Sequence, residues 1–128
     1  MLPFPIELKT GTPVSEQVVY AVKKAVISGA LASGQRFPSV RALSLELRIN
    51  PNTAHKAVAL LIEAGLLVVQ PGIGTVVAEQ RMATRQERGE LLGGEVERLV
   101  VEAKKLRLEL DDVQRAVEDH WNNLTGNQ

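Results

Sequence analysis

The sequence predicts a mainly α-helical fold with one small β-hairpin, followed by a helical tail. Three observations lead to this prediction. Apolar residues recur at helical spacing in three stretches before Gly65. Two aliphatic segments, Leu66–Gln70 and Thr75–Ala78, flank a glycine-rich tip, as in a β-hairpin. Beyond Ala78, two further apolar stripes at helical spacing indicate two more helices.

The first helix is predicted to begin at Thr12-Pro13, because threonine is a favourable N-cap and proline suits the first helical position. The stripe that follows comprises Val14, Val18, Ala21, Val22, Ala25 and Val26. Gly29 is expected to end this helix. Residues 30–38 are expected to form a loop.

Two short helices separated by a tight turn come next. Ser39 is the predicted N-cap of the second helix, whose inward residues are Val40, Leu43 and Leu47. Asn50-Pro51 repeats the cap-and-proline pattern almost at once. The inward residues of the third helix are Ala54, Ala57, Val58 and Leu61. This pair predicts a helix-turn-helix, and the hairpin after it completes the order of a winged helix.

The tail is predicted to be helical and to pair two copies of the chain. Its first stripe has heptad-like spacing: Leu92, Val96, Leu99, Ala103 and Leu106. Its second stripe comprises Val113, Val117, Trp121 and Leu124, and Asp111-Asp112 suit the start of that helix. Gly93-Gly94 are expected to bend or split the first of these helices, and Arg107–Glu109 is a second possible break. The stripes could instead fold back on the same chain.

The distribution of charged residues also divides the chain at Ala78. The 128 residues carry no net charge, yet residues 1–78 hold seven Lys and Arg against four Asp and Glu, and residues 79–128 hold eight against eleven. We therefore expect a winged-helix domain over 1–78, which alone approaches a polyanion, and a helical dimerisation region over 79–128.

Several protein classes are disfavoured. There is no cysteine, which removes disulfides and thiolate nucleophiles. The two histidines lack partners at metal-ligand spacing, and no P-loop or nucleophile elbow occurs. The longest apolar runs are far too short to cross a bilayer. We expect a cytoplasmic protein that is neither an enzyme nor a membrane protein, with no cofactor or metal; the residues identify no small-molecule effector.

The polar residues at the start of the third helix are the main candidates for function. A helix-turn-helix places the first residues of its second helix nearest the bases in the major groove. The candidate DNA-binding residues are Ser39, Arg41, Asn50, Asn52, Thr53, Lys56, Gly72, Gly74 and Thr75. Asparagine can pair with adenine, and lysine can reach guanine or phosphate. The wing glycines allow close approach of the backbone to DNA.

Each candidate also has an ordinary structural explanation. Asn50 and Ser39 could act as helix caps only, and Arg41 could pair with Glu46. A lone histidine such as His55 more often makes no contact with the bases. A tight hairpin needs a glycine in any case. The alternative to DNA binding is a winged helix that binds another protein.

Several blocks in this order carry a family resemblance. They are Gly29-Ala30-Leu31 with Ser33–Arg41, Asn50–Ala54, Glu63–Leu67 and Gly72–Val77. Together they resemble the GntR family of bacterial transcription regulators. Phe37 and Val76 stand where the family has leucine and phenylalanine, and Asn50-Pro51 replaces the common Ser-Arg. Asn-Pro-Asn-Thr and the short tail are similar to the YtrA-like subfamily.

The resemblance implies a DNA-binding transcriptional regulator. It implies DNA contacts from Ser39, Arg41, Asn52, Thr53, Lys56, Gly72 and Gly74, and a two-helix tail that forms a homodimer. The dimer residues expected on that tail are Leu92, Val96, Leu99, Ala103, Leu106, Val113, Val117 and Trp121. We thus expect a repressor that binds double-stranded, palindromic operator DNA.

Overall fold

A computed structural model describes residues 1–124, which form two compact units, Met1–Gln80 and a second that begins at Arg81. The expected dimerisation region, 79–128, thus includes residues 125–128, which lie outside the described part of the chain. The fold is mainly helical with one two-stranded antiparallel sheet, as predicted.

Three helices and a hairpin build the first unit. Helix α3 (Pro51–Glu63) packs against α1 (Val14–Ser28) and α2 (Val40–Leu47). The inward residues predicted on α3 are all buried: Ala54, Ala57, Val58 and Leu61. On α1, Val18, Val22 and Ala25 are buried, and the rest of the predicted stripe packs partly against the same core. The spacing of apolar residues therefore identified the core of this unit.

The start of α1 differs from the prediction. Pro13 occupies the N-cap position, the helix begins at Val14, and no side chain caps it. The segment before the helix is held by a side chain of the first turn instead. The Gln17 side-chain amide donates to the carbonyls of Thr12 and Lys9, at 2.8 Å each, and its oxygen accepts from the Lys9 N–H. Gln17 therefore ties residues 9–12 to the first turn of α1, while the first N–H groups of the helix receive no side-chain cap.

Strands β1 (Leu67–Gln70) and β2 (Gly74–Val77) form the predicted hairpin, with Leu67 opposite Val77 and Gln70 opposite Gly74. The predicted loop before α2 also contributes to this sheet. Arg36 forms a one-residue antiparallel bridge with Val76. Two backbone bonds flank the bridge: Phe37 N–H to the Thr75 oxygen (2.9 Å) and Val77 N–H to the Gln35 oxygen (2.8 Å). The hairpin is thus fastened to the segment that leads into α2.

The second unit contains the helical tail. Its elements are α4 (Arg85–Gly89), a π-helical turn (Glu90–Glu95), α5 (Val96–Lys105) and α6 (Leu110–Leu124). Gly93-Gly94 lie within the π-helical turn, so they change the helical pitch without interrupting the helix. The chain does break after α5, where Arg107 adopts a left-handed conformation with φ of 60°. Leu106 is therefore the C-cap of α5, one position beyond the last helical residue, Lys105.

No helix within residues 1–124 combines the length and the apolar character needed to cross a membrane.

Candidate nucleic-acid interface

The first turn of α3 is built by its cap. The Asn50 Oδ1 accepts a hydrogen bond from the Asn52 N–H at 2.7 Å, and Pro51 follows at the first helical position. Proline lacks the N–H that would have no partner there. The next exposed residues, Asn52, His55 and Lys56, lie on the side of the helix away from the buried alanines. Thr53 is half-buried, so it offers less surface to a ligand.

The turn between α2 and α3 is tightly held. The buried Ser44 hydroxyl donates to the Ile49 carbonyl at 2.7 Å, and the Ser44 carbonyl accepts from the Ile49 N–H at 3.1 Å. Arg48 ends α2 in the left-handed conformation, with φ of 55°. These contacts hold the first turn of α3 beside α2, so the exposed residues of the third helix are presented on a rigid support.

Ser39 and Arg41 lie at the start of α2. Ser39 is the predicted cap, since its Oγ accepts from the Ala42 N–H at 3.1 Å. Arg41 is exposed, and the possible pairing with Glu46 does not form. Glu46 instead pairs with the amino group of Met1. Within residues 1–124, neither Arg41 nor Lys56 has a side-chain hydrogen-bonding or ionic partner. Both cations are thus available to an anionic ligand.

The tip of the hairpin is a tight turn. The Ile73 N–H donates to the Gln70 carbonyl at 3.0 Å, with Pro71 and Gly72 at the two central positions. Gly72 has φ of 80° and Gly74 has φ of 115°, conformations that residues with a Cβ rarely adopt. The backbone therefore needs both glycines, whatever they contact. Thr75 is half-buried, and its carbonyl bonds to Phe37.

One cation near the wing was missing from the predicted site. The Arg36 Nη2 donates to the Ile73 carbonyl at 3.3 Å, which fixes an exposed guanidinium at the hairpin tip. Arg36 and Ile73 are 37 positions apart, so local sequence patterns do not connect them. The only signal was that Arg36 belongs to a group of basic residues with Arg41, Arg48 and Lys56.

The arrangement of these elements matches a known family. The sequence profile of the "Bacterial regulatory proteins, gntR family" matches residues 14–77, which is half of the chain and covers α1 through β2. This chain belongs to the GntR family. It is therefore a bacterial-type transcriptional regulator with a winged helix-turn-helix and not an enzyme, as the sequence predicted.

Similar proteins extend the GntR assignment beyond the winged helix. The HTH-type transcriptional repressor YtrA of Bacillus subtilis is 27% identical over 115 residues, 89% of this chain and 88% of YtrA. A match of this length exceeds the first unit, so it includes part of the tail. This supports the YtrA-like resemblance.

Solved structures agree on the fold. A protein of Listeria monocytogenes described as a transcriptional antiterminator has a TM-score of 0.84 at 22% identity, covering 95% of this chain and 92% of its own. A GntR family transcriptional regulator from the same species has a TM-score of 0.66 at 23% identity, covering 88% and 98%.

The residues expected at a dimer interface of this GntR chain lie in the second unit. Most of them are exposed in the single chain: Leu92, Val96, Leu99, Leu106, Val117 and Trp121. Val113 is half-buried. Ala103 is already buried within one chain, so a second copy is not needed to cover it.

Proposed function

We propose that this protein is a repressor that binds a palindromic DNA operator as a homodimer. The observation that carries the proposal is the exposed, cationic start of the helix-turn-helix. Arg41 and Lys56 have no partner within residues 1–124, and α3 has no carboxylate before Glu63, its last residue. A surface with unpaired cations and little negative charge is what a polyanion requires.

The proposed reader is the first part of α3, lying in the major groove. Asn52 would pair with the edge of an adenine, and Lys56 with guanine or a phosphate. Thr53 would contribute through its exposed portion. The free N–H groups at the start of α2, beside Ser39, would donate hydrogen bonds to a phosphate. Arg41 would contact the backbone or a base edge at the same place, and Asn50 would contact DNA in addition to its role as the cap.

The second unit is the proposed dimerisation region. Ala103 is the only buried hydrophobic residue described there, whereas large side chains such as Leu92 are exposed (64%). Apolar area of this extent is covered in most proteins by another surface. A second copy would cover it and would relate two recognition helices by a two-fold axis, which requires half-sites of matching symmetry.

Repression and location follow from the proposed binding. The relative YtrA of Bacillus subtilis is named a transcriptional repressor. We propose that the present chain also represses, by occupying its operator. Because the operator lies on the chromosome, the proposal includes a cytoplasmic location.

Selection of bound sequences from random duplex DNA tests the core of the proposal. We expect an enriched sequence with two-fold-symmetric half-sites, because each copy would present one α3 helix. If repeated rounds enrich no sequence, the proposal is wrong, and the winged helix would have to act on another partner such as a protein.

Two substitutions test the assignment of residues. Arg41→Ala and Lys56→Ala should each weaken binding of the selected duplex by about 1–3 kcal/mol if the residue reads a base. Lys23→Ala, which removes an exposed lysine of α1, is the control and should have little effect. Equal affinities for all four proteins, wild type included, would contradict the site.

The dimer is tested by charge substitution on α5. Leu99→Glu should give a monomer in sedimentation, because it places a carboxylate in the proposed seam. Val101 is also exposed but lies about 200° around the helix from Leu99. Val101→Glu should therefore leave the dimer intact. A dimer that tolerates Leu99→Glu would refute this interface.

A further inference from the structure

The hairpin that forms the wing is electrically neutral. From Leu66 to Ala78 it contains no Lys, Arg, Asp or Glu. Its tip exposes Pro71 and Ile73 instead, and Ile73 is 50% exposed. A neutral tip has no side chain of its own that can neutralise a phosphate, so any charge contact at the wing must come from another part of the unit.

Arg36 brings a cation to this tip. Its backbone is bridged to Val76 of β2, and its Nη2 donates to the carbonyl of Ile73 at 3.3 Å. One end of the residue is therefore anchored in the sheet and the other at the tip. A guanidinium has several N–H donors, and the bond to Ile73 uses one of them. Arg36 is exposed, so a ligand can reach the remaining donors from solvent.

We propose that Arg36 supplies the positive charge of the wing by contacting a DNA phosphate beside the groove that the tip enters. The same side chain holds the Ile73 carbonyl and so positions the tip. Ile73 itself would make apolar contacts in the groove, where isoleucine is one of the side chains that proteins insert. This inference rests on the proposed DNA binding and adds to it a residue from outside the hairpin.

Arginine suits both tasks. Its planar fork can bond to a carbonyl on one edge and to a phosphate oxygen on another, while its charge is delocalised and weakly hydrated. A lysine would provide the charge without the fork. Glutamine would retain a hydrogen-bond donor for Ile73 without the charge. These two substitutions therefore separate the two roles.

The test is the salt dependence of affinity for the duplex recovered by selection and for random-sequence duplex DNA. Each phosphate neutralised contributes about 0.9 to the slope of log affinity against log salt. R36Q should lower the magnitude of the slope by about that amount, and R36K should keep it. Because the hairpin is neutral, displacement of the wing alone would leave the slope unchanged. K23Q, on α1, is the control for loss of a distant charge and should also leave it unchanged.

A rescue experiment tests the location of the charge. Adding I73K to R36Q places a cation at the tip itself, and the slope should return to the wild-type value. Thermal unfolding of each variant establishes that it folds. R36K, which retains the positive charge at this position, is the control for R36Q. An R36Q slope equal to that of wild type would overturn the role of Arg36 alone. If the wild-type protein binds neither duplex, the proposed DNA binding fails together with this inference.

Discussion

The rings of Phe4 and Phe37 stack with centroids 5.7 Å apart and planes 6° from parallel. Both side chains are buried. Phe37 immediately precedes Pro38 and the cap of α2, and its N–H bonds to the Thr75 carbonyl of the hairpin. Phe4 lies in the segment before the region matched by the GntR profile. The stack thus joins this N-terminal segment to the junction between the wing and the helix-turn-helix.

Replacing Phe4 tests this role. Phe4→Ala should lower the free energy of unfolding by about 3–5 kcal/mol, because it removes a buried aromatic ring and leaves a cavity beside Phe37. Chemical denaturation measures the change. Leu45→Ala, at an exposed position of α2, should change stability by less than about 0.5 kcal/mol. Equal stabilities for the two variants would mean that the N-terminal segment does not support the core.

The cap of α3 allows stability to be separated from DNA binding. Asn50→Ala should cost about 1 kcal/mol of stability, because the Asn52 N–H loses its acceptor. Asn50→Asp preserves the acceptor but adds a negative charge at the proposed DNA surface. It should therefore unfold like the wild type and bind the selected duplex more weakly. Wild-type affinity in Asn50→Asp would place this position outside the DNA contact.

Local patterns predicted much of the first unit. Ser39 caps α2 and Asn50 caps α3, as predicted, and Gly29 ends α1 with φ of 87°. These features depend on side chains within a few residues of the backbone that they satisfy. The buried face of α3 was predictable for the same reason, because its spacing follows the helical period.

Contacts between distant residues were not predictable in this way. The Gln17 side chain binds the backbone of Lys9 and Thr12 before α1. Arg36 bonds to Ile73, and Phe4 stacks on Phe37. None of these pairs leaves a periodic signal in the sequence. The roles of the site residues in DNA binding stay predictions, since they concern a partner molecule.

The break between α5 and α6 contains a residue, Arg107, in an unfavourable backbone conformation. The Leu108 N–H bonds to the Ala103 carbonyl and the Arg107 N–H to that of Lys104, at 2.9 and 3.1 Å. This pattern usually has glycine at the position of Arg107, whose φ is 60°. Arg107→Gly should therefore stabilise the second unit by roughly 0.5–1 kcal/mol, the left-handed strain being partly offset by the entropy of glycine.

A glycine substitution within α5 is the control for Arg107→Gly. Glu102→Gly places glycine at an ordinary helical position and should destabilise by about 1 kcal/mol. Arg107→Val should also destabilise, since a β-branched residue rarely adopts a positive φ. Thermal unfolding of the three variants gives the order. If Arg107→Gly melts below the wild type, strain at this residue is not the dominant effect.

The stability of the start of α4 should depend on pH through the carboxylate of Glu87. Its carboxylate accepts hydrogen bonds from Arg81 and from the Thr84 N–H, which lower the pKa of Glu87 from 4.5 to about 2. A pKa that is lower in the folded state stabilises the fold above about pH 4.5, and this contribution is lost as the pH falls through about 2.

A carboxylate titration by NMR should therefore give a low pKa for Glu87. Arg81→Ala should raise this pKa toward its ordinary value, whereas Arg85→Ala, at a neighbouring exposed position, should not. A Glu87 that titrates normally in the wild type would exclude the contact with Arg81 in solution.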